Sequence, residues 1–369
     1  MDRLKKILSA EEWTALNLRA LYAENGYEKY RMSKFEEYDL YARNKDFLVS
    51  DSVITFTDTD GKLLALKPDV TLSIIKNAKP QVGKAMKVYY HENVYRATKN
   101  SRTFRELMQV GLECLGPIDS YCLYEVLYLA ARSLEQISRD SVLEISHLGV
   151  LSRLLDTVGI PENRKGSVLK CIGQKNLHEL EALCRDVEPE KRTLLKELVG
   201  TGGKCAQVLP RIRALLEDPA LEQLQEICAA LEAEGLGDML RFDFSLVDDP
   251  RYYNGIVFKG FIRGIPSSVL SGGQYDKLMG KMGRKSGAVG FAVYMDALER
   301  LEAPGESQDA DVLLLYDPGT PLERIRETAA ALSAQGRSVL VRQQPPEEIR
   351  CGSVLKISGS EVETVEIDA

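Results

Sequence analysis

Asp69 and Thr71 stand two positions apart, and Gln109 and Glu113 four apart, in stretches whose surroundings read as strands. On an extended strand such spacings put both side chains on one side. Asp69 with Thr71 then offers a carboxylate beside a hydroxyl, a pair suited to receiving an ammonium group by charge-assisted hydrogen bonding. Gln109 and Glu113 share a face in the same way. Taken alone, each pair reads equally as polar residues of a half-buried strand facing water. A third group is the run Asp248-Asp249-Pro250-Arg251-Tyr252-Tyr253-Asn254-Gly255, followed by Ser271-Gly272-Gly273-Gln274-Tyr275-Asp276. It sets paired tyrosines and an asparagine near a glycine loop. Gly200-Thr201-Gly202-Gly203-Lys204 carries less weight, because a phosphate loop needs a preceding strand and another spacing, and a helix-ending turn is expected there. No Ser-His-Asp arrangement stands out. His91, His147 and His178 do not cluster with cysteines, so no metal site is predicted.

Something must position these groups. At 369 residues, 44% hydrophobic and 28% charged, the chain reads as a soluble globular protein of two or three domains. No run approaches the ~20 apolar residues of a membrane span, and the charged start leads into a polar helix rather than a signal peptide. Seven cysteines without a Cys-x-x-Cys pair predict reduced thiols and a cytoplasmic protein. A net charge of −7 argues against a large nucleic-acid surface.

Ser9-Ala10-Glu11-Glu12 reads as a capping box opening a helix with the apolar face Trp13, Leu16, Ala20 and Ala23, closed by Asn25-Gly26. Strands are predicted at Ser52 to Phe56 and Lys62 to Leu66, across the turn Asp58 to Gly61, then at Lys87 to Tyr95 and Leu107 to Leu115. Tyr121 to Ile137 has the spacing of an amphipathic helix, with Leu123, Val126, Leu127, Ala130, Leu134 and Ile137 on one face. From about 161 to 237 the composition turns to Leu, Ala, Glu and Lys broken by Pro and Gly, which predicts a helical insertion. Strands resume near Leu240 and run through Val257 and Val269, and Gly287-Ala288-Val289-Gly290 leads into a predicted helix over Phe291 to Leu301. Residues 303–309 form a linker after a core of residues 1–302. A small α/β domain over 310–369 follows, with strands at Val312 to Leu315, Ser338 to Val341 and around Val354 to Ile357, ten acids against six Lys or Arg from Asp311 onward, and a helix opened by Thr320-Pro321.

The ordered motifs resemble those of histidyl-tRNA synthetases over about Arg3 to Leu301. Lys67-Pro68-Asp69-Val70-Thr71 is similar to the family's Arg-Pro-Glu-x-Thr segment. Val94-Tyr95-Arg96 with Arg105 to Gly116 is similar to the second signature motif of class II synthetases in its histidine form. The Tyr252-Tyr253-Asn254 run and the Gly272-Gly273 loop resemble the family's amino-acid pocket. The resemblance implies an α+β fold: a class II aminoacyl-tRNA synthetase-like antiparallel sheet with helices, a helical insertion and a small C-terminal α/β domain like a truncated anticodon-binding domain. It also implies a histidine site formed by Asp69, Thr71, Arg96, Gln109, Glu113, Tyr252 and Tyr253. There Gln109 helps hold the ammonium group, and Glu113, paired with Tyr253, accepts from the imidazole.

Departures from the family fall on the ATP side. A phosphate-facing arginine is replaced by Asp248, and each half of that swap is worth up to ~4 kcal/mol at ~4 Å. Thr98 stands where a glutamate positions adenine, although Lys99, Arg102 and Arg105 keep the loop basic. In the third signature motif Ala297 replaces the ATP-binding arginine and Tyr294 a glycine. This pattern resembles the regulatory subunits of ATP phosphoribosyltransferase, synthetase paralogues whose Leu-Arg-Pro-Asp-x-Thr segment is close to Leu66-Lys67-Pro68-Asp69-Val70-Thr71. The resemblance implies a chain without catalytic residues, metal or cofactor of its own. It implies a homodimeric core that joins a short-form ATP phosphoribosyltransferase catalytic subunit in a hetero-oligomer, activates it, and mediates feedback by L-histidine at the first step of histidine biosynthesis. Binding of tRNA is not expected. A divergent histidyl-tRNA synthetase and a free-standing histidine sensor are the alternatives.

Overall fold

The computed structural model describes residues 8–45, 48, 53–78, 83–97, 103–247, 252–301, 309–346, 349–359 and 361–365. The chain forms two compact units, one of residues 10–301 and one of 302–369 with 1–9. Among the described residues no helix is long and apolar enough to cross a membrane.

Helix α1 (Ala10–Glu24) starts directly after Ser9, as the capping box predicts. Its buried stripe is Ala15, Leu18 and Tyr22 rather than the predicted Trp13, Leu16, Ala20 and Ala23, and Leu16 is 41% exposed. Tyr22 decides the orientation. Its hydroxyl shares a hydrogen bond of 2.9 Å with the buried Ser133 Oγ, and its ring meets Phe291 edge-on at 5.8 Å. Strand β1 (Glu28–Lys29), β2 (Phe35–Glu37), helix α2 (Tyr38–Arg43), β3 (Thr55–Thr57) and β4 (Leu63–Leu66) follow. β2, β4 and β3 make a separate antiparallel sheet. Asp58 shapes the predicted turn into β4, its carboxylate accepting from the N–H groups of Asp60 and Lys62.

Next come α3 (Val70–Asn77), the long hairpin β5 (Met86–Ala97) and β6 (Phe104–Gly116), α4 (Ser120–Ile137) and β7 (Ser141–His147). The helical segment contains α5 (Leu148–Val158), α6 (Glu162–Gly173), α7 (Leu177–Leu183), α8 (Pro189–Gly200), strand β8 (Gly202–Lys204), α9 (Cys205–Leu215) and α10 (Pro219–Ala233). Helix α8 ends at Gly200, as predicted, but Gly202 to Lys204 then form β8 rather than a free turn. The segment returns to the main sheet there, and Gly202 lets the backbone pass within contact of Asp243, 2.9 Å from where a Cβ would sit. The core closes with β9 (Leu240–Asp243), β10 (Ile256–Ile262), β11 (Leu270–Gln274), α11 (Asp276–Lys281) and β12 (Gly287–Tyr294).

The main sheet has nine strands among the described residues, in the order β1-β5-β6-β12-β11-β10-β7-β9-β8. Only the β1–β5 and β7–β9 pairs are parallel. β12 overturns the helix predicted over Phe291 to Leu301. Phe291 to Tyr294 continue the strand, paired on both sides, and the 3₁₀ turn Met295–Leu301 comes only afterwards. Phe291 sits in the core behind the sheet, where α1 and α4 bring Leu18, Leu127 and Leu134 against Leu112 and Phe258. A second core lies where α3 packs Leu72, Ile74 and Ile75 against Val88, Tyr90 and Leu115. That contact sets the N-terminus of α3 over the face of the sheet that carries Glu113.

The other unit holds β13 (Ala310–Tyr316), α12 (Leu322–Ala334), β14 (Val339–Arg342), β15 (Cys351–Ser358) and β16 (Glu361–Thr364). Its order is β14-β13-β15-β16, with β13 parallel to both neighbours and β16 antiparallel at the edge. Leu313, Leu315 and Val354 form its core. These elements are an α/β unit, with β13, α12 and β14 as one crossover.

Candidate functional site

Strand parity builds the floor of the site. Gln109, Gly111 and Glu113 project from one face of β6, and their register partners on that face are Glu92, Tyr90 and Val88 of β5 and Tyr294, Ala292 and Gly290 of β12. Glycines let large side chains lie flat on this floor. A Cβ at Gly290 would overlap the Glu113 carboxylate, one at Gly111 would come 2.5 Å from the Tyr90 hydroxyl, and one at Gly273 would come 2.7 Å from the Tyr253 ring.

Asp69 and Thr71 are not on a strand. Asp69 is the N-cap of α3, its Oδ1 accepting from the Leu72 N–H at 2.8 Å, and Thr71 lies in the first turn. Asp is a preferred N-cap because it satisfies an otherwise unpartnered helix N–H. Its second oxygen, Oδ2, lies 3.8 Å from Arg96 Nη2, while Arg96 Nε donates to the Pro68 carbonyl at 2.7 Å. Lys67, fully buried, donates to Glu92 at 2.8 Å. The β4-to-α3 connection is thus held by two cations against the β5–β6 hairpin.

Glu113 is the centre of the site. Thr71 Oγ1 donates to its Oε1 at 2.6 Å, and the Tyr275 hydroxyl donates to its Oε2. Each oxygen thus accepts from one hydroxyl and keeps a lone pair for a further donor. Tyr253 packs against Gly273 and lies 4.6 Å from the Tyr252 ring, which is 5.8 Å from Tyr275. Burial pushes the Glu113 carboxyl up to about 8; the Thr71 and Tyr275 hydrogen bonds oppose this, and Asp69 adds to it. Burial also raises Asp69, with Arg96 pulling against it. The Tyr252 hydroxyl is raised by burial and by the nearby Asp69, and a hydrogen bond to Thr71 works the other way.

Asp69, Thr71, Arg96, Glu113 and Tyr252 thus come together. Gln109, 3% exposed, shares their face of the sheet, and Tyr253 stands beside Tyr252. The sequence reading missed Tyr275 and Tyr90 as site residues. Tyr275 lies inside the Gly-Gly-Gln-Tyr-Asp run already singled out, and a hydroxyl next to that loop was its only signal. Nothing in the sequence marked Tyr90. Asp248, Thr98, Lys99, Arg102 and Arg251 lie outside the described residues. Of the ATP-side positions, Tyr294 lies half-buried opposite Gln109, and Ala297 packs against the main core. Two carboxylates walled by tyrosines favour a small ligand that carries an ammonium group and a flat ring with N–H donors.

Strand order, the capped α3 and the glycine-floored pocket define a class II aminoacyl-tRNA synthetase-like protein. The histidyl-tRNA synthetase family model matches residues 1–298. An ATP phosphoribosyltransferase regulatory subunit from Alkaliphilus metalliredigens is 30% identical over 291 residues, covering 76% of this chain and 73% of the relative. The crystal structure of an ATP phosphoribosyltransferase regulatory subunit/histidyl-tRNA synthetase from Bacillus halodurans is similar with a TM-score of 0.73 at 24% identity, covering 91% of this chain and 90% of that one. A chain of the ATP phosphoribosyl transferase (HisG:HisZ) complex from Thermotoga maritima shares the fold, with a TM-score of 0.63 at 20% identity over 78% of this chain and 98% of that one. The chain belongs to the histidyl-tRNA synthetase family and, within it, to the ATP phosphoribosyltransferase regulatory subunits.

Proposed function

We propose that this chain binds free L-histidine in the Glu113 pocket and conveys its presence to a short-form ATP phosphoribosyltransferase catalytic subunit. Family membership gives the regulatory role in the first step of histidine biosynthesis. The pocket supplies the reason for the ligand. The observation that carries it is Glu113, a buried carboxylate that accepts from the Thr71 and Tyr275 hydroxyls, with the Tyr252 ring 5.8 Å from Tyr275 and the Asp69 carboxylate at the N-cap beside Thr71. Glu113 accepts from the imidazole, Asp69, Thr71 and Gln109 hold the ammonium group, and Tyr252 and Tyr253 face the ring. Arg96 keeps Asp69 in place.

The chain performs no adenylation in this reading. Tyr294 stands where the synthetase motif carries a glycine, and Ala297 where it carries an ATP-binding arginine. Asp248 and Thr98 are further losses at the sequence level. The core pairs as a two-fold homodimer within a cytoplasmic hetero-oligomer, the acidic C-terminal unit is a relative of an anticodon-binding domain, and tRNA is not a ligand. Mixing the purified chain with the short catalytic subunit tests the partnership. The expected result is a larger sedimenting species and about tenfold or more faster phosphoribosyl-ATP formation, a barrier lowered by at least ~1.4 kcal/mol. A mixture that neither associates nor gains activity leaves the free-standing sensor as the better account.

A further inference from the structure

Three separate motifs, Asn254-Gly255, Gln274-Tyr275-Asp276 and Gly287-Ala288, meet at one carboxylate. Asp276 Oδ2 accepts from Gln274 Nε2 at 2.6 Å and from Asn254 Nδ2 at 3.3 Å, and its Oδ1 accepts from the Ala288 N–H at 3.0 Å. Asn254 closes the ring. Its Oδ1 accepts from the Lys277 N–H at 3.4 Å, and its own N–H donates to the Gln274 carbonyl at 3.0 Å. The two glycines are explained by the same cluster. A Cβ at Gly287 would lie 2.7 Å from Asp276 Oδ1, and one at Gly255 would overlap Gln274 Oε1. The loop before β10, the end of β11 and the start of β12 are therefore tied at a single acceptor.

The residues adjoining these ties are the walls of the pocket. Tyr252 and Tyr253 directly precede Asn254. Tyr275 directly precedes Asp276; its N–H donates to the Ala288 carbonyl at 2.9 Å, and its hydroxyl reaches Glu113. Only a carboxylate suits the centre, because three donors converge on it. Asparagine would turn an NH₂ group toward one of them and leave an unmatched donor pair. Asp276 and Gln274 also line a cleft of ≈ 620 Å³, so the tie is reached by water and does not draw its strength from burial alone.

We propose that Asp276 is the positioning residue of this pocket, the clasp that sets where Tyr252, Tyr253 and Tyr275 stand. The ligand assumed is the histidine proposed above, whereas the clasp itself rests on geometry alone. The test uses the full chain as wild type, as Asp276→Asn, and as the swap Asp276→Asn with Asn254→Asp. The swap reverses donor and acceptor and restores one matched pair, which a merely bulky or unstable site would not register. Hydrogen exchange of residues 252–256 should quicken about tenfold in Asp276→Asn while α4 stays unchanged. Calorimetry should show histidine binding weakened about tenfold, and the swap should bring both readings back to within about threefold of wild type. Unchanged exchange in Asp276→Asn would overturn the clasp. So would a loss that the swap leaves in place while the melting temperature falls, since that marks general destabilisation. If wild-type protein binds no histidine, the ligand reading fails, and the exchange of residues 252–256 still decides the clasp.

Discussion

Glu113→Gln is expected to weaken histidine binding about a hundredfold, and to make the folded chain more stable in alkaline than in acidic buffer relative to wild type. Both effects come from one buried carboxyl. Its folded-state value is raised to about 8 from an ordinary 4.5, chiefly by burial. The folded state therefore holds a proton that the unfolded chain has released between those values. This stabilisation is complete below 4.5 and is lost as pH rises through about 8. Glutamine keeps the shape without the charge, so the variant's advantage should grow across that window and level off above it. The ceiling is roughly 4–5 kcal/mol, and roughly 1–3 kcal/mol remains once Thr71 or Tyr275 faces an amide NH₂. Urea melts at pH 4.5 and 8.5 measure it. A variant that is equally displaced at both pH values would show that Glu113 is not held neutral. The ligand effect has the opposite sense. An imidazole N–H bonds more strongly to an ionised carboxylate than to a protonated one, so histidine binding should favour the ionised form and release a proton below about pH 8, seen by calorimetry in buffers of different ionisation enthalpy.

The second large effect is an absent reaction. Histidine-dependent exchange of pyrophosphate into ATP should not rise above the background of an Asp248→Ala variant. Tyr294 occupies the strand position opposite Gln109 and Ala297 packs against the core, and the proposed reading takes both as departures on the ATP side. Losing a phosphate-facing cation removes a charge-assisted contact worth ~1.5–3 kcal/mol in binding alone, and the transition state depends on it more. Clear exchange by the wild type would restore the divergent synthetase as the better account.

Much of this was legible from periodicity, and the failures share a physical cause. Parity placed Gln109 and Glu113 on one face, and helical spacing gave α4 its buried Leu123, Val126, Leu127, Ala130 and Leu134. The strand reading of Asp69 and Thr71 fails because the first six residues of α3 are buried all round. Val70 to Ile75 are each 8% exposed or less, so no polar stripe reveals a helical period. Phe291 to Tyr294 suffered the reverse error: a strand flanked on both sides lacks alternation and reads as easily as helix. The orientation of α1 was set by Tyr22 and Ser133, 111 residues apart, a contact no local pattern contains. The site residues came from ordered motifs, whereas their partners did not. Which hydroxyls reach Glu113 depends on how β11 and α3 cross the sheet, and that is decided by tertiary packing.

The central claim is that histidine regulates through the Glu113 pocket. The most direct measurement is a histidine titration of phosphoribosyl-ATP formation by the reconstituted complex, made once with the wild-type chain and once with Glu113→Gln. Inhibition requires histidine to bind the active and inactive assemblies with different affinity. The expected result is that the half-inhibiting concentration rises about a hundredfold in the variant complex, in step with the loss of direct binding. Equal inhibition of both complexes would contradict the account, because histidine would then act at another site.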